Sequence, residues 1–413
     1  MRHLLLLVLL FSLFACGSGD DAPTSAPGTG PVSDWRLIIQ LPEVELPVQL
    51  HLAADGSEAW ISNGTEKVMV PEVSKNGESY ALHFPAFNNL LLLHKDGSKL
   101  KGSLTLVKRG YEQVMQVTGE PDPGYRFRQN PQPSAEFTGR WEVTFVDGNG
   151  KESSAIGEFD QQGSTISGTF LTPVGDYRYL AGDVDGSMLY LSTFDGAHAF
   201  VFYAEMQADG SLKGNFWSGT RWHESWQAHR NFEASLPDAY AMTYLKDGYD
   251  RLEFSFPDLG GNPVALSDQQ YQDKVVLVTL SGTWCPNCAD EVAFLSDYYR
   301  ENKDRGLEVI TLLYEHFEAF EPAAIQGRAL RDKFGIGYEL LIAGTSDKTL
   351  ASETLPMLSS VLAFPTMIFI ARDGRVRKIH TGFSGPATGQ RYLKFVAEFN
   401  ALMDELLDED TDR

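Results

Sequence analysis

The chain has 413 residues, a hydrophobic content of 43% and a formal net charge of −22. Its length predicts two or three domains, and its negative charge argues against nucleic acid as a partner, because the phosphates would repel it. Only three cysteines occur in the sequence, which excludes a fold held together by a network of disulfides.

The N-terminus has the pattern of an export signal. A short basic start precedes an apolar run at residues 4–13, which is too short for a settled transmembrane helix. Residues 13–17 (LFACG) resemble a bacterial lipoprotein signal, in which cleavage before the cysteine makes it the lipidated first residue. We therefore expect a signal peptide at 1–15, lipidation of Cys16 and a flexible tether at 16–33. An ordinary secretory signal with an unrelated cysteine is the alternative.

Residues 34–235 have the pattern of an all-β region. Short alternating stretches such as 79–84 and 141–145 are separated by Asp-Gly, Asn-Gly and Gly-Ser turns, and helical periodicity is absent. The fold class expected for this half of the chain is therefore antiparallel β, arranged as a barrel or a sandwich.

The same region contains a candidate internal duplication. Segments 76–82 and 96–102 align with segments 185–191 and 209–214, and Trp35 and Trp141 open the two copies. This pattern predicts repeats at 34–135 and 136–235, either as two similar antiparallel units or as halves of one sheet.

Nothing in the β region predicts chemistry. Its histidines are scattered without metal-ligand spacing. Trp217, Trp222 and Trp226 form either an aromatic platform for a ligand or aromatics that fill a sheet core or an interdomain seam. We expect a docking or spacing module.

The last part of the chain alternates strand and helix patterns. Residues 236–250 are expected to be a linker, and 251–409 an α/β domain with a mainly parallel sheet covered on both faces. Residues 275–280 predict a buried strand, and Cys285-Pro-Asn-Cys288 follows where a helical pattern begins. A helix N-terminus favours thiolate at the first cysteine, and the second is close enough to attack a mixed disulfide formed by the first.

Several motifs of this domain, in their order, resemble the thioredoxin fold, and more closely the TlpA/ResA group of exported, membrane-tethered thiol–disulfide oxidoreductases. The motifs are residues 254–267, 274–278, 284–288, Glu291, 364–366 and 373–374. The resemblance covers about residues 250–409 and leaves the β region out.

The resemblance implies a mechanism and a set of site residues. Cys285 would attack a substrate disulfide and Cys288 would resolve the mixed disulfide, so no bound cofactor or metal is expected beyond this redox pair. The other expected site residues are Pro365 of a cis-proline loop, Glu291 as a modulator of proton transfer, and Trp284, Pro286, Asn287 and Phe364 facing the substrate. The alternatives are a trans proline that only starts a strand, and an exposed glutamate in the first helical turn.

The family also implies partners. Protein thiols and disulfides would be the substrates, and a membrane electron donor of the DsbD or CcdA type would supply reducing equivalents. The sequence thus predicts a lipid-anchored, periplasm-facing disulfide reductase, with the inner or outer membrane left open.

Three other functions remain as alternatives. A peroxiredoxin-like thiol peroxidase would have threonine where Gly282 stands, and a copper chaperone of the Sco kind would have a longer cysteine spacing with a metal-binding histidine, for which His316 and His380 are the candidates. The third alternative is a surface binding module with a residual redox domain.

Overall fold

The computed structural model describes residues 31–409. The expected signal peptide, the lipidation site Cys16 and most of the tether lie outside the described residues. The described chain contains two antiparallel β units followed by an α/β domain.

The first β unit is an open, curved sheet of nine antiparallel strands. They are β1 (Val32–Gln40), β2 (Glu45–Ala53), β3 (Ala59–Asn63), β4 (Glu66–Met69), β5 (Glu72–Asn76), β6 (Ser79–Phe84), β7 (Asn89–Asp96), β8 (Lys99–Lys108) and β9 (Tyr111–Pro121). Their order is β4-β3-β2-β1-β9-β8-β7-β6-β5, so the consecutive strands β4 and β5 form opposite edges. The unit is a half-barrel.

The second β unit closes into a barrel. Its strands are β10 (Gly139–Asp147), β11 (Glu152–Gln162), β12 (Thr165–Thr172), β13 (Gly175–Asp176), β14 (Leu180–Asp185), β15 (Met188–Phe194), β16 (Ala199–Met206), β17 (Leu212–Ser218) and β18 (Trp222–Arg230). Strand β10 pairs with β11 and β18, and β12 pairs with β11 and β14, so eight strands form a closed ring. The short β13 pairs only with β12. The predicted fold class of this region is confirmed.

The two units share one strand order. In each, the first strand pairs with the second and the ninth, and the fifth to ninth strands follow one another as neighbours. The turns that align in sequence lie at equivalent places, between β5 and β6 and between β14 and β15, and likewise between β7 and β8 and between β16 and β17. The units differ because β12 pairs with β14, whereas β3 has no pairing with β5. This equivalence supports the duplication, which stays a prediction.

The half-barrel packs against the outside of the barrel. Leu46, Val48 and Leu50 share one core with Phe194 and Val201, which alternate with residues that point into the barrel. The connection between the units is held by the buried Arg126, which donates to Ser192 Oγ at 2.9 Å and Asn63 Oδ1 at 3.1 Å. The two β units therefore form one packed body.

The three neighbouring tryptophans have three different environments. Trp226 lies in the aromatic core of the barrel, 2% exposed. Trp217 packs at the seam with the half-barrel, where its Nε1 donates to Glu43 Oε2 at 3.3 Å. Only Trp222 stands out into solvent, 50% exposed. They therefore form no continuous aromatic platform.

The C-terminal domain has a five-stranded sheet with four helices. The elements are a small hairpin, β19 (Ser255–Pro257) and β20 (Pro263–Ala265), then β21 (Val275–Ser281), α1 (Pro286–Asn302), β22 (Leu307–Glu315), α2 (Phe320–Phe334), β23 (Glu339–Thr345), α3 (Lys348–Thr354), β24 (Thr366–Ile370), β25 (Val376–Thr381) and α4 (Gln390–Asp408). The sheet order is β23-β22-β21-β24-β25. Alternate residues of β21 face α1 and α4 on one side, and α3 with the segment after it on the other. The predicted thioredoxin-like α/β architecture is confirmed.

One expectation about this sheet is wrong. It is mixed rather than mainly parallel, because β21, β22 and β23 run parallel while β24 and β25 pair antiparallel. The short turn at residues 371–375 joins β24 to β25, and such a turn connects only antiparallel neighbours. The preceding segment 236–250 has no helix or strand and packs on this domain, with Thr381 N donating to Ala239 O at 3.0 Å.

Candidate active site

The two cysteines lie where the central strand meets a helix. β21 ends at Ser281, and Cys285 is the N-cap of α1, with its Sγ accepting a hydrogen bond from Cys288 N at 3.3 Å. Both residues are thiols, 8% and 1% exposed. Burial, followed by the neighbouring Cys285, raises the pKa of Cys288 well above its usual range. Cys285 Sγ is the sulfur that lies at the positive end of the α1 dipole.

The loop before β24 faces the first sulfur. The Phe364–Pro365 peptide is cis, and Cys285 Sγ lies 3.6 Å from the Phe364 carbonyl oxygen. Pro365 O in turn accepts from Gly382 N at 2.9 Å, which joins this loop to the segment that follows β25. The cysteine turn (residues 285–288) thus contacts the proline loop, which in turn contacts the segment that begins at Gly382.

Trp284 lies beside the two cysteines and is held there by contacts with neighbouring side chains and backbone. Its Nε1 donates to Tyr314 O at 2.8 Å, and its ring stacks on His316 with 4.8 Å between centroids and meets Phe364 edge-on. Burial, with the positive charges of Lys108 and Arg109, lowers the pKa of His316 to about 4. This histidine is therefore neutral at neutral pH and packs against the tryptophan.

Glu315 is a site residue that the sequence analysis missed. It is 1% exposed, and its carboxylate accepts from Thr283 N at 2.9 Å and from Thr283 Oγ1 at 2.8 Å. It therefore fixes the turn that precedes Trp284 and Cys285. The available signal was an acidic residue at the end of a mostly apolar strand, residues 307–315.

The buried position of Glu315 predicts a pH-dependent stability. Burial raises the pKa of this carboxyl to about 7, although both bonds from Thr283 act to lower it. A carboxyl whose pKa is higher in the folded state stabilises the fold fully only below its unfolded pKa, and this stability is lost as the pH rises through about 7. We expect Glu315 to contribute a fall of about 3 kcal/mol in the free energy of unfolding between pH 4.5 and 7.

Urea unfolding at pH 5 and pH 8 measures this contribution. In Glu315→Gln the amide can still accept from Thr283 N but cannot ionise, so the fall with pH should be smaller by that amount. A variant whose stability changes with pH as much as the wild type would contradict the assignment.

Glu291 is fully buried within the active-site helix. It is 0% exposed, and neither carboxyl oxygen has a hydrogen-bond partner among the described residues. Burial first, and then the charge on Cys285, raises its pKa well above the usual range. Thr279 Oγ1 lies 3.1 Å from Thr311 Oγ1, with which it shares a hydrogen bond. The exposed first-turn alternative for Glu291 is therefore wrong, while its role in proton transfer stays a prediction.

The barrel covers the residues between the cysteines. Pro286 and Asn287 are buried, and Asn287 Nδ2 lies 3.3 Å from both Asp176 O and Phe383 O. The Asp176 carboxylate accepts from Gly385 N at 2.8 Å. Asn287, which was expected to face the substrate, thus contacts another domain of the same chain, and Pro286 is buried beside it.

An arginine beside this contact joins all three units. The Arg178 guanidinium of the barrel pairs with Asp290 of α1, with Glu66 of the half-barrel at 3.0 Å, and with the barrel's own Asp195 at 3.6 Å. Its side chain is 11% exposed. Asp290 follows Cys288 by two residues, so this buried cluster adjoins the redox pair. No local sequence pattern indicated it.

Two features are absent from the part of the chain that the structure describes. Between residues 31 and 409, no three histidine, cysteine or acidic side chains are grouped so that they could hold a metal ion. Over the same range, none of the helices has the length and apolar character needed to cross a membrane. His316 and His380, the candidate ligands of a copper chaperone, instead pack against Trp284 and Tyr240.

Known proteins resemble this chain in its redox half. Residues 246–391 match the Redoxin family. Thiol-disulfide oxidoreductase ResA of Halalkalibacterium halodurans is 29% identical over 135 residues, which are 33% of this chain and 68% of that protein. ResA of Geobacillus kaustophilus is 26% identical over 144 residues, or 35% and 74%. A thiol:disulfide interchange protein of the thioredoxin family from Chlorobium tepidum has a solved structure with 21% identity and a TM-score of 0.27, covering 36% of this chain and 98% of that one.

Proposed function

We propose that this chain, whose Redoxin domain is that of a thiol–disulfide oxidoreductase similar to ResA, is an exported, membrane-tethered disulfide reductase. The observation that carries the proposal is the position of Cys285 Sγ. It lies at the N-terminus of α1, accepts from Cys288 N at 3.3 Å, and faces the Phe364 carbonyl oxygen at 3.6 Å. The Cys-Pro-Asn-Cys pair is the redox centre, so the reaction needs no bound cofactor.

The exchange takes place in two displacements. The Cys285 thiolate attacks one sulfur of the substrate disulfide, so that a mixed disulfide forms while the substrate's own bond breaks and its released sulfur takes up a proton. The Cys288 sulfur, losing its proton, then attacks Cys285 Sγ and releases the second substrate sulfur as a thiol. The substrate has gained two electrons and two protons, and the chain holds the Cys285–Cys288 disulfide.

Glu291 is suited to manage the proton of the second displacement. It follows Cys288 by three residues in α1, which places both side chains on one face of the helix. The raised pKa of Cys288 means that this thiol needs a base, and the buried carboxylate form of Glu291 would accept its proton. In the reverse exchange the protonated carboxyl would return it.

The site loops indicate how a protein substrate is held. The Phe364 carbonyl is directed at the reactive sulfur, so the backbone of residue 364 is where an incoming extended chain would pair. Trp284 and Phe364 meet edge-on beside this position and would contact the side chains next to the substrate cysteine.

The proposed location and electron supply rest on the sequence. The expected signal at residues 1–15 and the expected lipidation of Cys16 would hold the protein by lipid, through the tether, at the periplasmic side of a membrane. The oxidised pair would be reduced again by two electrons from a membrane donor of the DsbD or CcdA type.

The reduction potential of the cysteine pair tests this function. The protein is equilibrated in dithiothreitol or glutathione buffers, and the thiols at Cys285 and Cys288 are trapped and counted by peptide mass spectrometry, which leaves Cys16 out of the count. A potential near that of thioredoxin, about −270 mV, would support a reductase. A value near about −120 mV would reverse the direction, and no reversible couple at all would refute the enzyme.

A further inference from the structure

We propose that residues 172–178 of the barrel, hereafter the cap segment, determine which disulfides reach Cys285 by covering the cysteine turn until they move. The inference rests on the proposed function, because a cover matters only if a substrate must reach this sulfur. It also assigns the β region, for which no chemistry is apparent, a role in the reaction of the other domain.

The cap segment is bound to the walls of the site by polar contacts. It consists of the end of β12, the turn after it, β13 and the two residues that follow. Asp176 is bonded through both its backbone and its side chain, since its carbonyl oxygen lies 3.3 Å from Asn287 Nδ2 and its carboxylate accepts from Gly385 N at 2.8 Å. One contact is with the cysteine turn, and the other is with the segment that follows β25.

The contact is close because glycines form it on both sides. A Cβ atom on Gly175 would lie 2.3 Å from Asn287 Nδ2 and 3.5 Å from Phe383 O. A Cβ atom on Gly382 would lie 2.7–2.9 Å from the backbone of Val174. At Gly382 the two backbones leave no space for a side chain, and at Gly175 even a methyl group would displace the Asn287 amide. An extended substrate chain cannot enter there while the cap segment is in place.

An ion-pair cluster holds the cap segment at its other end. Arg178 is the last residue of the segment, and its charge is shared by Asp290 of the active-site helix, Glu66 and Asp195. These partners come from three different units, so displacing the segment breaks the Asp290 pair while Arg178 keeps Asp195, a residue of its own barrel. The cap segment can therefore move away from α1 while Arg178 keeps a charged partner.

The site is closed where the cap segment meets it. Asn287 is buried beneath the segment, and Cys285, two residues earlier, is 8% exposed, which leaves little room for a protein substrate at the sulfur. A small disulfide or thiol reagent needs little space at the sulfur, whereas a folded protein substrate can bind only if the whole cysteine turn is accessible. The cap segment therefore discriminates by size and by the ability of a substrate to displace it.

Thiol alkylation of the reduced full-length protein tests the inference. The rate of modification of Cys285 by iodoacetamide is compared with the rate by a maleimide carrying a long polyethylene glycol chain, and peptide mass spectrometry identifies the residue modified. In Arg178→Gln, which weakens the pairing, and in Gly175→Leu, which wedges the segment away from Asn287, the bulky-to-small rate ratio should rise about tenfold as the open fraction grows.

Matched controls separate opening from general damage. Arg36→Gln removes an arginine of similar exposure whose partners all lie in and next to the half-barrel, and Gly148→Leu adds the same side chain at a turn with open space. Both should keep the wild-type ratio. Circular dichroism shows which variants fold, and either cap variant suffices. An unchanged ratio in a folded cap variant overturns the inference. If the ratio rises but the protein has no reversible redox couple, the role of the cap segment is supported and only the reductase function is refuted.

Discussion

Replacing Cys285 with serine is expected to abolish disulfide reduction. Cys288→Ser should still carry out the first displacement and should accumulate a mixed disulfide. Serine is nearly isosteric, but its hydroxyl does not ionise at the helix N-terminus and cannot form a sulfur–sulfur bond. We expect turnover to fall by at least about a thousandfold in either variant, because both displacements are needed for each cycle.

The two variants differ in what they retain. Cys288→Ser keeps Cys285 and should form a covalent adduct with a disulfide substrate that non-reducing electrophoresis detects and dithiothreitol releases. Cys285→Ser should form no such adduct, because Cys288 is 1% exposed. If cells carrying Cys285→Ser keep the function of the protein, the redox domain is residual and the binding-module alternative gains support.

Glu291→Met is expected to increase stability and to slow the reaction. The substitution removes a fully buried carboxyl whose oxygens have no partner among the described residues, and methionine fills a similar volume. Burying such a polar group costs about 1–3 kcal/mol, so the free energy of unfolding should rise by that order. Loss of a proton acceptor for Cys288 should lower turnover by about a hundredfold.

The pH dependence has a defined sign. Because burial raises the pKa of Glu291, the folded wild type is most stable below the unfolded pKa, where the carboxyl is neutral, and it loses stability as the pH rises through the higher folded pKa. The stabilisation by methionine should therefore be larger at pH 8 than at pH 4. Urea unfolding and pH–rate profiles measure the two effects.

An exposed acid of the same helix provides the control. Glu301→Met makes the same substitution at an exposed position of α1 and should alter the free energy of unfolding by less than about 0.5 kcal/mol. Unchanged turnover in Glu291→Met with an unaltered pH–rate profile would remove Glu291 from the mechanism, even if the protein becomes more stable.

Glu291 and Glu315 show that local sequence patterns do not predict which side chains are buried. A glutamate three residues after Cys288 is compatible with an exposed first helical turn or a buried one, since helical spacing alone does not say which face another element covers. Glu315 is the last residue of a mostly apolar strand, and its partner Thr283 belongs to a turn 32 residues earlier. Both carboxyls become unusual only through the burial that the assembled sheet imposes.

The closure of the second β unit was also beyond the sequence. Turn residues and alternation predict antiparallel strands, and both units have the same strand order. Whether the ring closes depends on one further pairing, between β12 and β14, which has no counterpart between β3 and β5. Such a pairing depends on curvature accumulated over the whole sheet rather than on any short segment.

By itself the sequence determined what depends on local order. It determined the all-β character of the first half, because turn residues and period-two alternation are local, and the redox pair at the start of a helix, because strand, turn and cysteines are consecutive. Tertiary structure alone decided the burial of Glu291, the partner of Glu315 and the position of the cap segment over Asn287. Asp176 and Arg178 lie more than 100 residues before their partners in the other domain, and contacts at that separation follow from how domains pack.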